Sequence, residues 1–250
     1  MRSWKQAVAR AFDGAEGYDR AAVIQAVAAE RLAVRIAAAP LPPAPRILEI
    51  GCGTGLLTTA LRRRLTPSCL IASDIAPGMV RRCARRMGAE VQGLVMDGER
   101  PCLAQGFDLI ASSLAAQWFE DLDGTLARLA GLLAPGGLLA VATLASGTFH
   151  EWRRAHAALG LEAATPTYPA LSALQALAIA ECTVAASSEP VVESHDDGGA
   201  FLTALRAIGA GTPGSAAPLS SGGLRRVLRR FEADGAQVTY EVATLLIRRR

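Results

Sequence analysis

Three acidic side chains and three alternating glycines between Glu49 and Asp97 carry the spacing of a nucleoside-binding site. Gly51, Gly53 and Gly55 follow the apolar run Ile47–Ile50 and precede the helix-like LLTTALRRRL. A strand, a bare turn and a helix bring backbone N–H groups close to a ligand, although such a turn can also serve chain geometry alone. A dinucleotide fingerprint wants its third glycine at position 56, where Leu56 stands. Asp74 ends the next apolar run, 19 residues after Gly55. A carboxylate there can accept from two ribose hydroxyls or cap the following helix. Asp97, in MDGE after a third run, suits an adenine amino group or a turn.

A second cluster lies downstream, in SSLAAQWFE, Ser112 to Glu120. In a wound α/β sheet this strand exit faces the place where a second substrate lies. Gln117 is suggestive, because a buried amide must find partners. Trp118 and Phe119 fit either the site or the core. The alternating glycines behind Glu49 resemble motif I of the class I S-adenosylmethionine (SAM) methyltransferases. That resemblance implies a cofactor set of Glu49, Gly51, Cys52, Gly53, Gly55, Asp74, Ile75, Met79, Asp97, Gly98 and Ser113, with Glu49 orienting the methionine end.

The elements that must position these residues follow from periodicity. The linker Pro40–Pro45 stops a helical pattern over residues 4–38. From Arg46, strands at 46–50, 69–74, about 91–96 and from 107 alternate with helices at about 56–65, 77–87 and 123–133. The turn Pro135-Gly136-Gly137 starts a fifth strand. Such alternation predicts a doubly wound, Rossmann-like α/β fold with a mostly parallel sheet. Residues 146–180 read as helical with a proline kink, 184–194 as a strand, 200–208 and 224–235 as helices, and 237–247 as a last strand. Together these give seven strands, with the last antiparallel. The expected organisation is one domain: a helical appendage (1–45) over the site, a SAM-binding core (46–145), and a remainder (146–250) with lid segments near 146–180 and 198–234.

Composition narrows the classes. With 51% hydrophobic and 20% charged residues in 250, the chain can bury a sizeable core. A net charge of +3 argues against a nucleic-acid protein. The five cysteines form no C-x-x-C pair, no metal cluster is expected, and His150, His156 and His195 lie away from the motifs. The N-terminus lacks a signal peptide's apolar region, and no apolar run spans a bilayer, so a cytoplasmic protein without membrane partners is expected.

Lys5–Leu32, with Phe12, Tyr18 and Gln25 in order, resembles the start of the malonyl-acyl-carrier-protein O-methyltransferase family of biotin synthesis (BioC). SSLAAQWFEDL, the lid-like FLTALRAIGA and the final QVTYEVATLLI resemble it too, whereas residues 160–195 match loosely. The resemblance implies methyl transfer from SAM to the free carboxylate of a malonyl group on acyl-carrier protein or CoA, the opening step toward pimeloyl synthesis in bacteria. It implies Tyr18, Gln117, Trp118 and Arg206 on the acceptor side, with Arg206 holding the carboxylate; a solvated helix arginine or a lid–core ion pair stays open. For Tyr18 the alternative is packing of the N-terminal segment. Arginine clusters at 62–64, at 81, 82, 85 and 86, and at 225, 226, 229 and 230 are each candidates to dock an acidic carrier. Rival readings are a class I methyltransferase of another small acceptor (a quinone precursor or free dicarboxylate) and a SAM-binding scaffold. An NAD-dependent oxidoreductase fails on Leu56.

Overall fold

The computed structural model describes residues 3–13, 22–207 and 219–250. Helices α1 (Ser3–Asp13) and α2 (Val23–Ala37) come first. Then follow β1 (Arg46–Ile50), α3 (Leu56–Arg62), β2 (Cys69–Asp74), α4 (Pro77–Met87), β3 (Gln92–Val95), β4 (Phe107–Ser113), α5 (Leu122–Ala130) and β5 (Leu133–Leu144). The remainder is α6 (His150–Ala157), α7 (Leu171–Gln175), β6 (Cys182–Ser194), α8 (Gly198–Ala207), α9 (Ser221–Ala233) and β7 (Gln237–Arg249). The strands form one sheet in the order β3-β2-β1-β4-β5-β7-β6. All pairs are parallel up to β4–β5, and β7 runs antiparallel to both β5 and β6. The expected fold class is observed.

Strand alternation builds two cores. Ile47, Leu109 and Leu138 point to one face, packed with α2, α3, α8 and α9. Leu48, Ile110 and Leu139 point to the other, under α5 and α7. Side chains two residues apart share a face, so an apolar strand covered on both sides needs apolar residues at every position. The ILEI run meets that demand except at Glu49, which is itself buried.

Helix α2 repeats Ile24, Ala28, Leu32 and Ile36 every fourth residue and buries all four. Its alanines let it lie close against α3. Sequestering Leu32 and Ile36 contributes about 1.5–3 kcal/mol each. Helix α2 thus belongs to the domain's main core, and α1 is the N-terminal element that reaches the ligand cleft.

Some boundaries differ from the sequence reading. Pro135-Gly136-Gly137 does not precede β5 but sits within it. Phe107 pairs with Leu133 and Leu109 with Leu138, so β5 bulges between those two pairs. Across residues 146–180 only α6 and α7 are helical. Gly160, Pro166 and Pro169 lie in the irregular stretch between them. Pro190 sits within β6, which is tolerated because β6 is an edge strand with one side unpaired.

Candidate active site

The parallel strands β1, β2 and β4 end on one edge of the sheet, where a cleft opens. Its lining includes Gly51 and Gly53 after β1, Asp74 and Ile75 after β2, Asp97 and Gly98 after β3, and Ser113 after β4. Met79 of α4 and Trp118 also line it.

The glycine turn owes its shape to steric necessity at Gly51. Its φ is +70°, and a Cβ there would overlap the Ala115 methyl from the β4 exit. Asp74 then fastens the turn. One carboxylate oxygen accepts from the Gly53 N–H at 2.9 Å, the other from the Ala76 N–H at 2.8 Å. Burial raises the Asp74 pKa, and those two backbone donors oppose the rise. Each oxygen keeps a further lone pair for a ligand hydroxyl.

Not every residue expected to bind cofactor reaches the cleft wall. Glu49 lies beneath the turn, 1% exposed, and accepts from the Thr58 hydroxyl at 2.7 Å. Burial, only partly offset by that bond, pushes its pKa up to about 8. Cys52 also lies underneath, its thiol donating to the Gly53 carbonyl at 3.8 Å; interaction with the Cys83 thiol raises the Cys52 pKa and lowers that of Cys83 to about 7. Gly55, left-handed at φ +91°, caps α3 against Cys83.

Helix α1 closes the other side of the cleft. Val8 and Phe12 line it, and the Phe12 ring meets Trp118 edge-on at 5.6 Å. Asp13 accepts from the Gly78 N–H at 2.7 Å, at the start of α4, and Arg82 donates to the Asp13 carbonyl. Lys5 reaches Asp97 at 2.8 and 2.5 Å and Glu99 at 2.5 Å. Burial works against the ammonium, but the two carboxylates outweigh it and raise the Lys5 pKa. Burial likewise opposes ionisation of Glu99, while Lys5 and the N–H groups of Asp121 and Glu120 win and lower its pKa. Sequence reasoning did not assign Lys5 a role. The available signal was that it is the chain's lone lysine and opens the Lys5–Leu32 segment.

At the β4 exit the backbone turns sharply. Leu114 has φ +49°, a left-handed conformation uncommon for a residue with a Cβ. The Gln117 side-chain amide donates to the Leu114 carbonyl at 2.7 Å, holding this turn. The Gln117 Oε1 and Ser113 Oγ atoms are buried without a partner. Ser113 lines the cleft, so its orphaned oxygen is a site for a ligand's donor, whereas Gln117 is not among the lining residues. The lining therefore fits a nucleoside-bearing ligand such as SAM: a bare turn, a carboxylate with spare lone pairs, and the unsatisfied Ser113 oxygen.

Arg206 stands on α8, exposed, with no side-chain partner among the described residues. Its helix is pinned by Phe201, which packs on Phe149, Trp152 and Phe231. Gly198 lies so tightly on Leu228 of α9 that a Cβ would meet it at 2.6 Å. Tyr18 falls outside the described residues. Among the described residues there is no group of three or more His, Cys, Asp or Glu able to hold a metal, and no helix long and apolar enough to cross a membrane.

A glycine turn after β1, an acidic tip on β2 and a last strand inserted antiparallel define the class I methyltransferase arrangement. A family model described as a methyltransferase domain matches residues 47–137. The YcgJ protein from Bacillus subtilis shares the fold, with a TM-score of 0.61 at 17% identity over 88% of this chain and 97% of that one. Malonyl-[acyl-carrier protein] O-methyltransferase of Magnetococcus marinus is 39% identical over 94% of this chain and 89% of its own length. The biotin biosynthesis bifunctional protein BioCD of Bordetella avium is 50% identical over 95% of this chain, and the chain spans about half, 51%, of that longer protein. The chain belongs to the malonyl-[acyl-carrier protein] O-methyltransferase family.

Proposed function

We propose that this protein transfers the methyl group of SAM to the free carboxylate of a malonyl thioester carried by acyl-carrier protein. The observation that carries the reading is the cleft, which gathers the bare backbone of Gly51 and Gly53, the Asp74 carboxylate and the unpaired Ser113 oxygen. Family membership supplies the acceptor.

SAM supplies an electrophilic methyl on a cationic sulfur that leaves as a neutral thioether. The acceptor carboxyl, with a pKa of about 4, is ionised at neutral pH and needs no general base. The residues therefore bind, align and exclude water. Asp74 accepts from ribose hydroxyls through its spare lone pairs. Gly51 and Gly53 let the ligand approach the main chain. Asp97 accepts from the adenine amino group beside Lys5, with Ile75, Met79 and Gly98 against the ring. Glu49 acts from beneath the turn by its charge, while Cys52 and Gly55 shape that turn. Ser113, Gln117 and Trp118 face the reacting end, and α1 keeps water out.

On the acceptor side, Arg206 of the α8 lid holds the malonyl carboxylate through one oxygen and leaves the other free to attack. The Tyr18 hydroxyl meets substrate or cofactor. The N-terminal helices, SAM-binding core and lid segments thus act as one domain with a division of labour.

The test is to incubate the purified protein with SAM and either malonyl-carrier protein or malonyl-CoA, reading the methyl ester by mass spectrometry. Ester on the carrier is expected, and an Arg206→Ala variant should lose most of it while still binding SAM. Ester on neither thioester defeats the reading; ester on CoA alone defeats the carrier as acceptor.

A further inference from the structure

Basic charge is spread unevenly over this chain. Residues 198–231 hold five arginines (Arg206, Arg225, Arg226, Arg229, Arg230) and no acidic residue. That segment carries +5 of a chain whose net charge is +3, leaving −2 for everything else. Four of the five lie on α9 and are exposed. Arg230 is paired with Asp234 at 3.1 Å, and Asp234 is shared with Arg154. Arg225, Arg226 and Arg229 have no acidic partner among the described residues.

The other two arginine clusters differ in both pairing and place. Arg62 is bonded to Glu90 and Arg64 to Glu30. Arg82 holds α1 through the Asp13 carbonyl. Helix α3 begins at the cleft edge, after β1, and runs away from it, which takes Arg62–Arg64 with it. Arg86 packs its stem against Gly55, behind the glycine turn. Arg81 is exposed nearer the cleft, but on the β2–β3 side, beyond the adenosine end.

The α8–α9 excursion is rooted at the cleft edge at both ends. Ser194, which closes β6, pairs with Gln237, which opens β7. Strand β7 is antiparallel to β5, so this is the end where β5 leaves the sheet. Helix α9 packs its Val227 and Phe231 inward and turns its arginines out. It stands beside the lid helix α8, on the β5 side of the cleft, where the acceptor arrives.

We propose that Arg225, Arg226 and Arg229 of α9 form the docking face for an acidic carrier protein, the assignment resting on the malonyl-carrier reading above. An acidic partner steered to this row delivers its thioester arm past α8 into the cleft, and the attraction weakens as salt rises. The arginines act on encounter and not on the transferred methyl.

The experiment compares the unaltered protein with R225E/R226E/R229E and the milder R225Q/R226Q/R229Q, each checked for native thermal unfolding. Two readouts are taken at low and moderate salt. One is binding of fluorescently labelled carrier protein. The other is kcat/KM for malonyl-carrier protein against malonyl-pantetheine, which lacks the protein. The charge-reversed protein should bind carrier at least about tenfold more weakly, lose the salt dependence, and methylate malonyl-pantetheine as before. The glutamine variant should fall between. Carrier binding and turnover unchanged in the reversed variant overturn the docking face while leaving the methylation reading intact. Carrier binding that depends on α9, with no ester from the unaltered protein, overturns the methylation reading and keeps the docking face. Capture of anionic phospholipid vesicles by α9 in place of the carrier also overturns the assignment.

Discussion

The two ends of the cleft are built from different materials. At the cofactor end the partners are backbone atoms fixed by the sheet. Asp74 closes on Gly53 and Ala76, Gly51 lies against Ala115, and Asp97 is engaged by Lys5. The groups proposed for the acceptor side have no such partners: the Gln117 side-chain oxygen is unpaired and Arg206 is exposed. A ligand common to many enzymes can be held by main chain that any sequence supplies. A particular acceptor needs side chains on segments added to the sheet.

The sharpest way to break this contrast is at Asp74. Replacement by Ala removes the proposed acceptor for two ribose hydroxyls and leaves the Gly53 and Ala76 N–H groups unpaired. Charge-assisted bonds contribute about 1.5–3 kcal/mol each. The SAM dissociation constant should rise about 100-fold by calorimetry, with Asp74→Asn intermediate, and the KM for the malonyl thioester should stay within about twofold. A loss shared equally between the two substrates would show that the ends are not separable.

The cofactor end was also the legible one, for a physical reason. Its residues are strand tips and the turns that follow, so local spacing places them: β1, β2 and α4 fall where periodicity put them, and Gly51, Gly53 and Asp74 line the cleft. Glu49 shows the limit of such reasoning. Spacing put it in the motif, but strand alternation turns Ile50 to the cleft and Glu49 beneath the turn, onto Thr58. The pairing of Lys5 was beyond reach, although its being the lone lysine was a signal, because its partner Asp97 lies 92 residues away and nothing local in a helix announces such a contact. The bulge inside β5 was missed similarly. Pro-Gly-Gly reads as a turn, and only pairing with β4 keeps the strand running through it.

Lys5 offers a smaller effect with an informative sign. Lys5→Met keeps most of the apolar stem and removes the charge, leaving Asp97 and Glu99 without their cation. If the ammonium serves mainly to hold α1 over bound SAM, the KM for SAM should rise about tenfold, in line with loss of a partly buried charged hydrogen bond. If instead Lys5 competes with the adenine amino group for Asp97, affinity should increase. A tighter SAM complex in the variant would therefore move α1 from the cofactor end's machinery to an obstacle in front of it.

The smallest effect concerns pH and Glu49. Its pKa of about 8 in the ligand-free protein means that the carboxyl is mostly protonated at pH 7. Because the folded value lies above the ordinary one, the protonated form favours folding. That contribution is complete below about pH 4.5 and is lost as pH rises through 8. A bound cation just above the turn favours the carboxylate instead, so binding SAM should release a proton from Glu49. SAM affinity should then climb between pH 6.5 and 8 and flatten above, by a few-fold in all and well under the limiting slope of tenfold per pH unit. S-adenosylhomocysteine lacks the sulfonium charge and should show a weaker slope. Glu49→Gln should flatten both, and it should also remove the alkaline loss of stability in the ligand-free protein. Titrations in two buffers of different ionisation enthalpy count the released proton directly. Equal slopes for the two ligands would mean that Glu49 answers the shared ammonium or the turn itself, and the charge beneath the glycines would then play no part in sensing the methyl donor.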